Sequence, residues 1–175
     1  MLTIIASAVA ALVAAILLYA ATRPDAFRIE RAVSIKASAE RIFALIDDFH
    51  QWVSWSPWEN IDPALKRTYS GAASGVGTAY AWEGNSKVGS GRMEITACTP
   101  ASKITIKLDF LKPFEAHNTA EFTLEHKDGV THVTWAMHGP SPYLSKLMGL
   151  FFSMERMVGG QFEQGLAKLK SVAEK

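Results

Sequence analysis

The chain has 175 residues, of which 49% are hydrophobic, and 18 Lys+Arg stand against 17 Asp+Glu for a formal charge of +1, so no basic face advertises nucleic acid. Its single cysteine, Cys98, excludes an intrachain disulfide and leaves the redox compartment open. No internal repeat is visible, and the only compositionally biased tract is an alanine-rich stretch at the start.

In that stretch Leu2 to Thr22 carry no charge, a length matching the ~20 residues a helix needs to span a bilayer. Its strongly apolar residues, at ~0.3–0.6 kcal/mol each, sum to roughly 3–5 kcal/mol toward insertion. A cleaved signal peptide is the competing reading. Against it, the only positive charge before the span is the α-amino group, and Leu18-Tyr19-Ala20 and Tyr19-Ala20-Ala21 put large residues where cleavage wants small ones. Residues 1–22 are therefore expected to be an uncleaved anchor, 23–26 a short linker, and 27–175 one domain with its own core. Arg23, Arg28, Arg31 and Lys36 all follow the span, which points the C-terminal domain to the cytoplasmic side.

Phe27 to Lys36 alternates, with Phe27, Ile29, Val33 and Ile35 on one face and Arg31 as its odd member, and reads as a strand. Ser38 caps a helix whose apolar side is Ile42, Phe43, Leu45 and Ile46. Asp47 to Ser54 makes a second short helix or turn. Three of the five tryptophans then fall at Trp52, Trp55 and Trp58, beside Pro57. Each such ring buries roughly 150–250 Å², so the cluster is either one wall of an apolar pocket or a core plug where helix turns into strand.

Strand signals follow at the spacing of an antiparallel meander: Lys66 to Ser70, Gly77 to Gly84, Gly89 to Thr99, Lys103 to Leu111, Glu115 to His126 and Val130 to His138. Asp128-Gly129 between two alternating runs is the strongest hairpin signal. A long helix then runs from Pro142, with Leu144, Leu147, Met148, Phe151, Met154, Val158, Phe162, Leu166 and Leu169 at helical spacing. Thirty residues would reach about 45 Å, and Gly159-Gly160 is the expected break, at ~1 kcal/mol per glycine. Strand, two short helices, six strands and a long helix are solved economically by an α+β helix-grip fold: a seven-stranded antiparallel sheet wrapped around the C-terminal helix, with a separate N-terminal transmembrane helix.

At this point the chain resembles the START-like, helix-grip SRPBCC superfamily, in its polyketide cyclase/dehydrase-like branch. The residues that carry the resemblance are Phe27-Arg28-Ile29-Glu30-Arg31, Ile35-Lys36-Ala37, Ile42-Phe43-Ala44-Leu45-Ile46-Asp47-Asp48 and Trp52-Val53-Ser54-Trp55-Ser56-Pro57-Trp58-Glu59. Gly75-Val76-Gly77, Trp82-Glu83-Gly84-Asn85, Gly89-Ser90-Gly91-Arg92-Met93 and Phe162-Glu163-Gln164-Gly165-Leu166 continue it. A charged residue would be more typical of the family than Gly159-Gly160. The resemblance covers essentially everything after residue 26 and implies a hydrophobic ligand between sheet and long helix. It supplies no catalytic motif that transfers residue by residue.

Strand parity proposes the ligand-facing side chains. These are Tyr80 and Trp82, Met93 with Ile95 and Ala97, Phe110, Phe122, and Trp135 with Met137, joined by Trp55 and Trp58 from the tryptophan cluster and by Phe151, Met154 and Phe152 from the helix. Tyr80, Trp82 and Trp135 each offer a polar handle, and Arg31 offers charge. No chemistry stands out beside them. His50, His117, His126, His132 and His138 show no metal-ligand spacing, and His132 and His138 on one strand lie near ~20 Å apart. Gly75-Val76-Gly77 and Gly89-Ser90-Gly91 precede strands and are not phosphate loops. Cys98 is expected opposite the Met93 face as an inert thiol. No cofactor and no metal is implied.

Three readings stay open. One is a membrane-anchored binding protein for a small hydrophobic, lipid-like or polyketide-like ligand. Another is a protein-interaction module with a filled core. The third is a polyketide cyclase or dehydrase, for which Tyr80 and Arg31 are the only nameable acid–base candidates.

Overall fold

The computed structural model describes residues 1–151 and 153–175. Helix α1, Leu2–Ala21, is long and apolar enough to span a membrane, and nearly all of it stands clear of the rest of the protein. Only four residues, 22–25, separate it from strand β1, Ala26–Ile35. Helix α2, Ala39–Ile46, follows, started by the Ser38 hydroxyl accepting from the Arg41 N–H at 3.3 Å. Two short 3-10 helices, Phe49–Ser54 and Pro57–Asn60, carry the tryptophans.

The remaining strands are β2 (Lys66–Gly71), β3 (Thr78–Glu83), β4 (Ser90–Thr99), β5 (Lys103–Lys112), β6 (Ala116–Lys127) and β7 (Val130–Pro140). They form one seven-stranded antiparallel sheet in the order β1-β7-β6-β5-β4-β3-β2. Every neighbouring pair from β2 to β7 is a hairpin. The return of β7 to β1 closes the arrangement, with Ala26 opposite Pro140 and Ile35 opposite Thr131. At the β6–β7 turn Asp128 and Gly129 both have positive φ (52° and 78°), the backbone that a two-residue turn matching strand twist requires.

Two details depart from the sequence expectation. The long helix breaks before the paired glycines, not at them: α3, Tyr143–Met148, stops at Gly149, and α4, Met154–Ala173, restarts with the Ser153 hydroxyl accepting from the Arg156 N–H at 3.2 Å. Helix α4 then runs unbroken through Gly159 and Gly160, about 30 Å at 1.5 Å per residue. Packing against the sheet outweighs the propensity cost of the glycines there. The second departure is a β-bulge in β4. Ile95 faces Ile106 but Ala97 faces Thr105, so Thr96 is an extra residue and parity inverts beyond it. Ala97 is consequently exposed, while Cys98, opposite the buried Ile104, turns against the core, and burial pushes its thiol pKa up.

Helix α4 lies along β1 and runs the same way. The Arg31 guanidinium meets Glu155 and Glu163, the Lys170 ammonium donates to the Ser34 carbonyl at 2.8 Å, and the Lys36 N–H donates to the Glu174 carboxylate at 2.8 Å. Gly165 makes the close approach possible, since a Cβ there would stand 2.8 Å from the Trp135 ring and 3.0 Å from Pro57.

Candidate functional site

The inward face of the sheet has two ends, and they are built differently. Beneath α2 and the C-terminal half of α4 it is sealed. Ile35, Ile42, Ile46, Phe49, Trp52, Trp55, Leu166 and Leu169 are all buried there. The tryptophans have a specific task. The indole N–H of Trp52 donates to the Ile46 carbonyl and that of Trp55 to the Leu45 carbonyl, both at 2.9 Å. These are carbonyls of the last turn of α2, which have no partner within the helix. The rings thus close the helix end and fill the core in one move.

Between the sealed end and the middle of the sheet the space is occupied by stacked rings. Trp135 lies flat on Phe162, with centroids 4.1 Å apart and planes 8° apart, and Phe122 stacks on it at 4.9 Å. Trp58 meets Trp135 and Phe162 edge-on at 5.6 and 6.1 Å. The Trp135 indole N–H is buried without a hydrogen-bond partner in the protein, a state that costs ~1–3 kcal/mol. It is a spare donor in an otherwise apolar centre.

The other two polar handles are engaged. Tyr80 donates its hydroxyl to Glu59 Oε1 at 2.8 Å, and burial together with that carboxylate drives its pKa far above the usual phenol value. Glu59 itself is 5% exposed and also accepts from Arg67 Nε at 2.6 Å, while its backbone carbonyl accepts from Arg67 Nη2 at 2.9 Å. The Trp82 N–H reaches the Val88 carbonyl at 3.4 Å. Its ring occupies the space above Gly91, where a Cβ would come within 2.4 Å of it.

Toward the opposite end the cover thins. Met93, Ile106, Ala120 and Met137 are buried, but Phe27, Trp82, Leu108 and Phe110, which continue the same apolar face, are only half-buried. Phe110 meets Trp82 edge-on at 5.8 Å. The buried Asn118, opposite Leu108, adds one amide to this region, its oxygen lying where a Cβ on Gly139 would be. Met154 and Met157, on the first turns of α4, are exposed at the same end.

The predicted ligand-facing residues therefore divide. Trp55, Tyr80, Met93, Phe122, Trp135 and Met137 come together in the core, and Trp58, Trp82 and Phe110 form its half-buried margin. Phe151 and Met154 do not face the sheet interior; they lie exposed beside the α3–α4 junction, because the helix restarts at residue 154. Phe152 lies outside the described residues. Arg31 is held on the flank by Glu155 and Glu163 at 2.7 and 2.6 Å, and it passes over Gly159, where a Cβ would be 2.2 Å from its guanidinium. Two shallow, open hollows among the described residues are lined by none of the predicted ring and methionine side chains. One of about 220 Å³ runs between β1 and α4 beside Arg31 and Lys170, and one of about 400 Å³ sits at the β3–β4 connection beside Lys112 and Pro113.

Sequence reasoning did not find Glu59, Arg67 or Asn118. The available signal was the acid that directly follows Trp58, since a carboxylate embedded among rings needs a cation and donors. Among the described residues no three His, Cys, Asp or Glu side chains are placed to hold a metal ion.

The architecture is that of a helix-grip protein whose apolar concave face is closed at one end. The family model for polyketide cyclase/dehydrase and lipid transport proteins matches residues 26–174, and the chain belongs to that family. Comparison with curated proteins finds no sequence match. Among solved structures the fold is similar to the Aha1 dimer from Colwellia psychrerythraea (18% identity, 85% of this chain and 96% of that one, TM-score 0.60). It is also similar to two di-domain ARO/CYC proteins. BexL from the BE-7585A biosynthetic pathway matches at 16% identity over 90% of this chain and 53% of its own, with TM-score 0.65. StfQ from the steffimycin pathway matches at 12% over 85% and 51%, with TM-score 0.61. At these identities the likeness is one of fold.

Proposed function

We propose that the protein binds a small hydrophobic molecule, lipid-like or polyketide-like, against the half-covered end of the concave face, and that α1 anchors it in a membrane as a single span. The observation that carries this reading is the uneven cover of one continuous apolar face. It is sealed by rings and helices at one end and left half-exposed at Phe27, Trp82, Leu108 and Phe110 at the other. A protein that needed only a stable core would gain ~25 cal/mol for each further Å² of that face it covered. The family match supports a hydrophobic ligand, and the buried Trp135 N–H, unpaired within the protein, is a donor that a ligand oxygen would satisfy once the rings beside it shift. The basic residues that follow α1 favour a cytoplasmic domain.

A filled-core interaction module is the second reading, favoured by the stacking of Trp135 on Phe162 and Phe122. Catalysis has less behind it. Tyr80 and Arg31, the two acid–base candidates, are both committed to carboxylates.

Native mass spectrometry of the full chain, released from nanodiscs after gentle purification, separates the readings. The ligand reading expects a reproducible small molecule that leaves on unfolding. A clean apo mass, with tryptophan fluorescence unchanged by mixed lipids and aromatics, overturns it in favour of the interaction module.

A further inference from the structure

The end of the domain where the concave face opens is also the end from which α1 departs, and the apolar surface there extends well beyond the concave face. The antiparallel register places the start of β1, the end of β7 and the β5–β6 connection together at this end, since Ala26 is opposite Pro140 and Phe110 is opposite Ala116. Helix α3 packs along the last turns of α1, and the Tyr143 hydroxyl donates to the Leu17 carbonyl at 3.0 Å. Lys146, the one charged residue between Pro142 and Met154, is tied to Asp25 in the linker. Around that joint, Leu144, Met148, Phe151 (68% exposed) and Met157 (63%) stand bare, as do Phe114 (66%) on the β5–β6 connection and Leu111 at the end of β5.

Resting on the membrane anchoring proposed above, we infer that α3 and the β5–β6 connection form a second, interfacial contact with the bilayer. The domain would then stand on the membrane with its half-covered apolar face turned down to the lipid. The argument is one of continuity and reach. Tyr143 bonds to α1 one turn before the helix ends, a level at which a spanning helix leaves the hydrocarbon and amphipathic aromatic rings collect. Residues 22–25 are too short a tether to lift the domain away. A segment with one paired charge and several bare apolar side chains is suited to lie ~5–10 Å into the headgroup boundary. A lipid-like ligand could then pass between bilayer and protein without crossing water.

The test uses the full chain in nanodiscs of phosphatidylcholine and phosphatidylglycerol, in a Cys98→Ser background whose near-ultraviolet circular dichroism matches the parent. Nitroxides are placed singly through Phe114→Cys and Met148→Cys, with Val9→Cys in the middle of α1 and Asp128→Cys on the opposite hairpin as references. Collision rates with oxygen and with a water-soluble nickel chelate are compared. The expected result is a several-fold higher oxygen-to-nickel ratio at 114 and 148 than at 128, with 9 higher still. If 9 is in lipid while 114 and 148 match 128, the interfacial contact is wrong and the anchor stands. If 9 is also water-accessible, the anchoring reading fails and takes the contact with it. If 114 and 148 are shielded from both reagents, a protein partner or a second copy covers this surface, which also overturns the inference.

Discussion

Replacing Phe162 by alanine asks whether α4 and the sheet are joined through solid packing or across a space that a ligand could already enter. Phe162 is 2% exposed, lies flat on Trp135 at 4.1 Å and takes the edge of Trp58 at 6.1 Å. Removing the ring forfeits ~1.5–3 kcal/mol of transfer free energy. It also leaves a void of roughly 100 Å³, which at ~24 cal/mol per Å³ adds another ~2 kcal/mol if the walls hold. They should hold, because Trp135 is pinned by Phe122 on its other face and Pro57 stands against Gly165 one turn along α4. A total near 4 kcal/mol lowers the melting temperature by roughly 8–16 °C for a domain of this size. The assay is thermal unfolding measured by scanning calorimetry, with and without indole, because a dry apolar void accepts a guest of that size. Indole at one hundred times its Kd should restore ~2.7 kcal/mol to the variant. A loss under ~1 kcal/mol would refute the packing. A parent stabilised by indole as strongly as the variant would show that a comparable void is already present.

Three glycines of α4 should respond to alanine in a fixed order of stability. Gly160 has nothing within 4 Å of a new Cβ and gains ~0.8–1.0 kcal/mol of helix propensity. At Gly159 the same gain is offset by displacing Arg31 from its surface ion pairs with Glu155 and Glu163. At Gly165 two rigid rings, Trp135 and Pro57, must move, and overpacking of ~1–3 kcal/mol outweighs the gain. Chemical denaturation ranks them, and a Gly165→Ala variant more stable than Gly160→Ala would undo the account of the grip. In the Glu59 network, Tyr80→Phe should cost ~1.5–3 kcal/mol by leaving Glu59 Oε1 without its donor. Glu59→Gln should cost about 3 kcal/mol by stripping Arg67 of its buried partner. The double variant should lose clearly less than the sum, and strict additivity in a double-mutant cycle would mean that the three groups do not act as a network. On the outer face, the hydrogen bond to Asp109 holds the His117 pKa above the usual imidazole value. Stability from this pair is fully present below the unfolded imidazole range near pH ~6.5 and is lost as pH rises through the raised folded value. An NMR titration of His117 should show the shift, and Asp109→Asn should bring it back toward ~6.5.

The strands were legible because each buries one face, so alternation in the sequence maps onto burial along β1 and β6 and through the first half of β5 and β7. The hairpin at Asp128-Gly129 and the cap at Ser38 were legible because their backbone or hydrogen-bonding demands select few residue types. What the sequence hid was anything decided across the chain. The bulge at Thr96 has no local marker, and it reversed Ala97 and Cys98. The break between α3 and α4 was masked because Leu144, Leu147, Met148 and Phe151 keep helical spacing. Their apolar character answers to α1 and to the exposed end of the domain, not to the sheet. The tryptophans read as wall or plug with equal ease. Which one depends on the carbonyls of Leu45 and Ile46, to which two of them bond. Glu59 was invisible for a related reason, since its partners Arg67 and Tyr80 lie on two later strands.

The position of α1 in the chain has a consequence that follows from topology alone. Strand β1 starts at the end of the sheet where β7 finishes, and α4 runs parallel to β1, so its first turns lie at that end as well. If α1 spans a membrane as proposed, its four-residue link to β1 makes the span emerge beside the half-covered part of the concave face. The end sealed by α2, Trp52 and Trp55 is held a full strand length away, about 30 Å for the ten residues of β1 at ~3.3 Å each. An anchor attached after Lys175 would reverse this, because Glu174 is bonded to Lys36 at the sealed end. Moving α1 from the start of the chain to its end should thus keep the fold and turn the open end toward water. If the ligand is drawn from the bilayer, that rearranged protein should lose its bound molecule while retaining its stability. If it still carries the molecule, loading does not depend on which end meets the membrane.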